Sequence, residues 1–218
     1  NNSLQNVITC TIHKRRPPKW NNTKALINLY GIASALAYLH SKNIIHCDLS
    51  SNNVLEDENY YPKLCDFELA KIIGVEKSEN SDIINHGTVP YMAPEVLSDN
   101  IYSYASDVYS YACIAYELVT NEIPFGNIKR MLKIAEKIIE GERPEFSRPI
   151  PNCFKNLITQ CWSQDRNKRP TFTEIIEMLK NNPQFINEFD VDENEYKRYI
   201  QIVSGEISYP QQSIPEQQ

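Results

Sequence analysis

No two cysteines in these 218 residues stand at C-x-x-C spacing, so the usual signature of a redox or zinc motif is missing. The six cysteines, Cys10, Cys47, Cys65, Cys113, Cys153 and Cys161, are scattered along the chain. Cys65, Cys113 and Cys161 lie in apolar stretches that read as core, which favours reduced thiols in a cytoplasmic protein over a disulfide framework. No apolar run reaches the roughly 18 residues that a membrane span needs, and no signal peptide opens the chain. The net charge of −6 argues against nucleic acid as a partner, since phosphate-backbone contacts need clustered Lys and Arg. Glycine is scarce as well: there are six, and Gly31 alone precedes residue 46. That excludes a glycine-rich phosphate-binding loop from this part of the sequence. Internal repeats are absent. The first residue is Asn1 and not Met, so either a segment was removed or the sequence begins late.

What is present fits an ordinary globular domain with enough chain to bury a core: 41% of residues are hydrophobic and 23% charged. Residues 1–22 are polar and carry a basic stretch from His13 to Trp20, whose two prolines read as a loop. That stretch is a solvated connection or a docking site for an acidic partner. From Thr23 to His40 apolar residues recur at helical spacing, with Asn22 or Thr23 as the cap and Asn43 as the stop. Three short β-prone pieces follow, at Ile44-Ile45-His46, Asn53-Val54-Leu55 and Lys63-Leu64-Cys65. The polar residues from Val75 to Thr88 read as a flexible surface loop.

Helical patterns then dominate. Ser106 to Val119 is apolar nearly all round and predicts a buried central helix. Further helices are expected from about Lys129 to Glu140, with Gly141 just past the end, and from Cys153 to Trp162. Thr171-Phe172-Thr173-Glu174 has the pattern of a capping box, and its helix runs to Lys180 before Pro183. Beyond that lies an acidic stretch from Glu188 to Glu195, one more helix to about Val203, and a Gln-, Pro- and Ser-rich end that reads as disordered. The expected fold is mainly α with short β hairpins.

The chemistry-bearing residues begin at His46-Cys47-Asp48-Leu49, with Asn53 five residues after Asp48 and Asp66-Phe67 thirteen beyond that. Two carboxylates and a carboxamide on neighbouring loops are hard oxygen ligands, suited to Mg²⁺ and to orienting a hydroxyl. On spacing alone they read equally well as a set of turn residues. The ordered series that follows decides between the two. It runs Gly87-Thr88-Val89-Pro90-Tyr91-Met92-Ala93-Pro94-Glu95, Ser106-Asp107-Val108-Tyr109-Ser110, Pro124-Phe125, Cys161-Trp162 and Lys168-Arg169-Pro170-Thr171.

Taken in order, this series resembles the signature set of the eukaryotic protein kinases, H-R-D-L-x-x-x-N, D-F-G and A-P-E followed by the buried helix and the late Arg. The resemblance covers about residues 3–180 and implies a protein-kinase-like C-terminal lobe with the N-terminal β lobe absent. It places the lobe at residues 1–182, with an acidic to Gln/Pro-rich, partly disordered tail at 183–218. It implies that Asp48 accepts the proton of a substrate hydroxyl, that Asn53 and Asp66 hold Mg²⁺ on the phosphates of ATP, and that Leu55 forms the apolar floor under the adenine. It further implies a packed pair of His46 and Phe67, a buried ion pair of Glu95 and Arg169, and bonds from Asp107 to catalytic-loop backbone. Thr88 sits where the family's Ser/Thr enzymes place a hydroxyl beside the catalytic Asp. With Cys161-Trp162 and Arg169-Pro170-Thr171-Phe172, it points to the tyrosine-kinase-like Ser/Thr group. Protein substrates or signalling partners follow.

Four departures from the family pattern stand out. The glycine-rich loop and the V-A-x-K lysine have no counterpart in the residues before His46. Cys47 replaces the Arg of H-R-D, which usually pairs with a phosphorylated activation-loop residue; Ser78 and Ser81 lie in that loop. The new thiol is inert unless a cation lowers its pKa. Ser50 stands where Ser/Thr kinases carry a phosphate-facing Lys. Glu68 replaces the glycine of D-F-G, where a Cβ is costly, and acts as an extra metal ligand or as a weakening of the site. The expectation is negligible phosphotransfer, and poor solubility, for these 218 residues alone. The alternative to a Ser/Thr kinase is a pseudokinase or truncated scaffold that binds partners without catalysis.

Overall fold

Nine α-helices and four short strands are found among the described residues, 3–74 and 89–208, of a computed structural model. Helix α1 (Leu4–Ile12) comes first and corrects the reading of residues 1–22 as polar connection. Ser3 caps it, accepting from the Asn6 N–H at 3.4 Å, and Leu4, Val7 and Ile8 line its buried face. The basic stretch after it is irregular, as its prolines require.

Helix α2 (Asn22–Ser41) begins one residue earlier than its apolar pattern, because the cap is Asn21, whose Oδ1 accepts from the Lys24 N–H at 2.9 Å. Strand β1 (Ile44–Ile45) leads into the His46–Asn53 loop, which ends in a single 3₁₀ turn. Strands β2 (Val54–Glu56) and β3 (Pro62–Leu64) form an antiparallel hairpin in the register Val54 to Leu64, Leu55 to Lys63 and Glu56 to Pro62. Its turn is closed by Asp57, whose Oδ1 accepts from the N–H groups of Asn59 and Tyr61 at 2.8 and 3.0 Å. Strand β4 (Lys71–Ile72) pairs antiparallel with β1 across the intervening hairpin. One of the two ladders is therefore a long-range pairing and not a hairpin.

Helix α3 (Pro94–Asp99) opens with proline at its first position, where no N–H is needed, and ends at Asn100 with φ +57°. The central helix, α4 (Tyr104–Thr120), is buried from Ser106 to Thr120 except at Ser110. Ser103 and Ser106 close a capping box at its start. It packs on α6 (Asn152–Cys161) and on α2, where the Tyr111 hydroxyl donates to the Leu29 carbonyl at 3.1 Å. Helix α5 (Met131–Ile139) is followed by Gly141 at φ +93°, a conformation that favours glycine. The Thr171–Glu174 capping box opens α7 (Phe172–Asn181), which lies along α2. The short α8 (Gln184–Asn187) and the longer α9 (Glu193–Val203) complete the order.

The core is one cluster. It includes residues from beyond 182: Phe185, Tyr196, Tyr199 and Ile200 are buried in the same contacts as Leu26, Phe154 and Leu179. No described helix is long and apolar enough to cross a membrane.

Candidate active site

The loop between β1 and β2 is held from below by a single carboxylate. Asp107, 1% exposed in the first turn of α4, accepts from the His46 N–H (2.9 Å, Oδ2) and the Cys47 N–H (3.1 Å, Oδ1). His40 meets the same Oδ2 at 2.9 Å and is packed between Tyr104 and Phe172, with ring centroids 4.4 and 5.1 Å away. The loop is thereby bent so that Cys47 takes φ +67°, a conformation a side-chain-bearing residue adopts only when its surroundings impose it.

One residue further on, Asp48 is joined to Asn53. The Asn53 amide Nδ2 donates to the Asp48 carbonyl at 2.7 Å and to its carboxylate Oδ2 at 2.9 Å. This commits the amide nitrogen to Asp48 and keeps the amide oxygen on the opposite side of the carboxamide. Asn53 is tied in turn to the end of the hairpin, since the Cys65 N–H donates to its carbonyl at 3.0 Å. Asp66 follows at once, exposed and at φ +62°. Beside it the His46 and Phe67 rings pack at 5.1 Å and 45°, and the His46 Nε2 lies 3.2 Å from the Cys65 carbonyl. Leu55 lies on β2 and is 41% exposed.

Asp48, Asn53 and Asp66 thus share one short stretch of chain path, with Leu55 on the strand that follows Asn53. Thr88 lies outside the described residues, as do Ser78 and Ser81. The donor set consists of two carboxylates and an amide oxygen, hard ligands whose chemistry fits Mg²⁺.

Below this loop is a group that sequence reasoning missed. Gln5 of α1, Ser51, Tyr91 and Glu117 of α4 meet in the interior. The Tyr91 hydroxyl donates to Glu117 Oε1 at 2.7 Å and stands 3.0 Å from Ser51 Oγ, which donates to Gln5 Oε1 at 2.7 Å. Burial pushes the Glu117 carboxyl up to about 8, against the bonds from Tyr91 and Ser51. No local pattern announces such a carboxyl. Glu117 stands in an apolar helix, and its partners are far away in sequence.

The model of the family described as protein tyrosine and serine/threonine kinase matches residues 3–179. The chain belongs to this kinase family. A Dictyostelium discoideum protein named as a probable serine/threonine-protein kinase is 39% identical over 164 residues, which is 74% of this chain and 12% of that protein. The serine/threonine-protein kinase STY17 of Arabidopsis thaliana is 35% identical over 177 residues, or 80% of this chain and 30% of its own length. The chain spans less than a third of either relative. Kinases of this family use ATP and Mg²⁺ and act on protein substrates.

The kinase ion pair expected from the resemblance is present. Arg169 donates to both Glu95 oxygens, at 2.6 and 2.8 Å, and also to the carbonyls of Ser163 (2.9 Å) and Ala105 (2.8 Å). Its side chain is fully buried, so each N–H has to find such a partner.

The departures from the kinase pattern now have surroundings. Burial, with Asp107 as the second cause, pushes the Cys47 thiol up to about 12 even though Lys71 lies close by, so it is a neutral thiol and the inert reading holds. Lys71 itself stands with Nζ 3.9 Å over the Tyr102 ring. Ser50 is fully buried, and its hydroxyl has no partner among the described residues. Glu68 is exposed, and the left-handed backbone in this turn falls on Asp66 and not on Glu68. The strain expected at the missing glycine is absent.

Proposed function

We propose that this chain is the carboxy-terminal catalytic lobe of a protein serine/threonine kinase of the tyrosine-kinase-like group. The observation that carries the reading is the pair of hydrogen bonds from Asn53 to Asp48, on a loop whose preceding N–H groups are both held by Asp107. A carboxylate fixed in this way would accept the proton of an incoming Ser or Thr hydroxyl as the hydroxyl oxygen bonds to the γ-phosphorus of ATP and the bond to the bridging oxygen breaks, releasing ADP. Asn53 keeps it oriented. Asn53 and Asp66 are the residues that would hold Mg²⁺, and Leu55 would lie under the adenine. When bound, Mg²⁺ and ATP supply the phosphoryl group and the neutralisation of its charge. Positioning dominates such chemistry, so the supports beneath the loop matter as much as the ligands.

Asp48→Asn tests the reading, made in the protein with whatever sequence precedes Asn1. Phosphorylation of a generic Ser/Thr substrate is expected to fall by at least about 10²-fold with thermal stability unchanged. Retained activity would overturn it. The 218-residue chain by itself is expected to be nearly inactive, since Cys47 and Ser50 stand where the kinase pattern carries an Arg and a phosphate-facing Lys. The same two residues favour the second reading, a pseudokinase scaffold. Failure of the longer protein to bind MgATP would establish that one.

A further inference from the structure

Helix α9 lies beyond the residues that match the kinase family, 3–179, yet it is fastened to the lobe at every turn. Its cap Asp192 accepts from the N–H groups of Asn194 and Glu195 at 3.0 and 3.1 Å, while its own N–H donates to Thr23 Oγ1 at 2.8 Å. Asn22 donates from Nδ2 to the Phe189 carbonyl at 2.7 Å. Lys24, 9% exposed in its side chain, pairs with Glu195. The Tyr196 hydroxyl donates to the Leu179 carbonyl at 3.1 Å.

One turn later comes Tyr199, 4% exposed, its ring 4.7 Å from Tyr61 and 6.4 Å from Tyr30. It occupies a notch in α2 that exists only because residue 31 is glycine. A Cβ there would overlap the Tyr199 hydroxyl and come within 2.6 Å of Pro62 Cγ. Three elements therefore converge on Gly31: α2, α9 and the start of β3. The hairpin that Tyr199 meets at Tyr61, and whose Pro62 lies against Gly31, is the one whose other end carries Asn53 and Asp66, joined by the Cys65 to Asn53 bond.

We propose that α9 is a positioning strap for the metal- and nucleotide-binding edge, with Tyr199 as the residue through which it holds the β2–β3 hairpin. The strap rests on the kinase reading for its purpose, and on the packing at Gly31 for its existence. Tyr199 touches no reacting atom in this scheme. It fixes the hairpin, and the hairpin fixes the two groups that would hold the cation.

The test uses the full chain carrying Tyr199→Ala, Tyr199→Phe or Gly31→Ala, read by amide hydrogen exchange and by titration with MgATP. Tyr199→Ala and Gly31→Ala are expected to speed exchange at Val54, Leu55, Leu64 and Cys65 at least tenfold, with the amides of α4 and α6 keeping their protection. MgATP affinity is expected to fall at least fivefold in the same two variants. Tyr199→Phe keeps the ring in the notch and should restore both. Glu195→Gln leaves the core filled and serves where Tyr199→Ala does not fold; about threefold faster hairpin exchange is expected from it. Unchanged hairpin exchange, equal loosening of the whole lobe, or a loosened hairpin with unchanged MgATP affinity would each overturn the strap. A parent protein, made with whatever sequence precedes Asn1, that binds no MgATP removes the kinase reading, and the hairpin exchange then decides the strap by itself.

Discussion

On one side of the β2–β3 hairpin, Tyr61 and Pro62 are closed in by Tyr199 and α2; on the other, Leu55 and Phe67 are 41% and 45% exposed. Left-handed backbone occurs on both sides, at Cys47 (φ +67°) and Asp66 (φ +62°) on the loops that flank the open side and at Tyr60 (φ +57°) in the hairpin turn. The polar groups of the closed side are paired with carbonyls and carboxylates from distant parts of the chain, as Lys24 is with Glu195 and Asn22 with Phe189. A site that must admit a ligand has to leave surface uncovered and backbone under tension. The far side must then supply the rigidity that the near side lacks.

The sharpest way to break the comparison is to remove the support furthest from the open face. Arg169→Ala should cost about 3–5 kcal/mol in urea unfolding, because it leaves the partly buried Glu95 without its partner and the Ser163 and Ala105 carbonyls without donors.

Smaller per pH unit is the effect of Glu117 and Glu56, two buried carboxyls. Burial pushes both up to about 8, whereas in the unfolded chain they titrate near the ordinary 4.5. The folded protein therefore holds protons that the unfolded chain has released. Their stabilising contribution is complete below about pH 4.5 and is lost as pH rises to about 8. Unfolding at a series of pH values should show this loss at up to about 1.4 kcal/mol per pH unit for each carboxyl. Glu117→Gln should roughly halve the slope, and an unchanged slope would mean that Glu117 titrates normally. The smallest effect belongs to the open face: Leu55→Ser and Phe67→Ala should each shift unfolding by less than about 1 kcal/mol, and a larger loss would mean that this face is packed after all.

Much of the architecture was legible in the sequence. The apolar run of α4, the capping box of α7 and the glycine after α5 announce themselves through neighbouring residues. Helix α1 escaped notice because its apolar face is only Leu4, Val7 and Ile8, set among polar and β-branched residues and next to a proline-bearing basic stretch. The ordered motifs singled out Asp48, Asn53 and Asp66, and the structure brings Asp48 and Asn53 into direct contact. It was silent on His40 and on the cluster of Gln5, Ser51, Tyr91 and Glu117, whose members are unremarkable residues made significant by burial beside one another.

Asn22 and Thr23 show where the division falls. Both are good helix caps, and the local pattern offered them as such. The structure gives the cap to Asn21 and turns Asn22 and Thr23 into anchors for the tail, on partners 167 and 169 residues away. The sequence by itself determined the longer helices, the order of the motif-bearing loops and the family, because periodicity, capping and motif order are written in residues that are close along the chain. Only the tertiary structure decided which polar groups are paired, which carboxyls hold a proton, and that Phe185, Tyr196, Tyr199 and Ile200 join the core. Those outcomes depend on burial and on contacts between distant segments, and no local spacing encodes them.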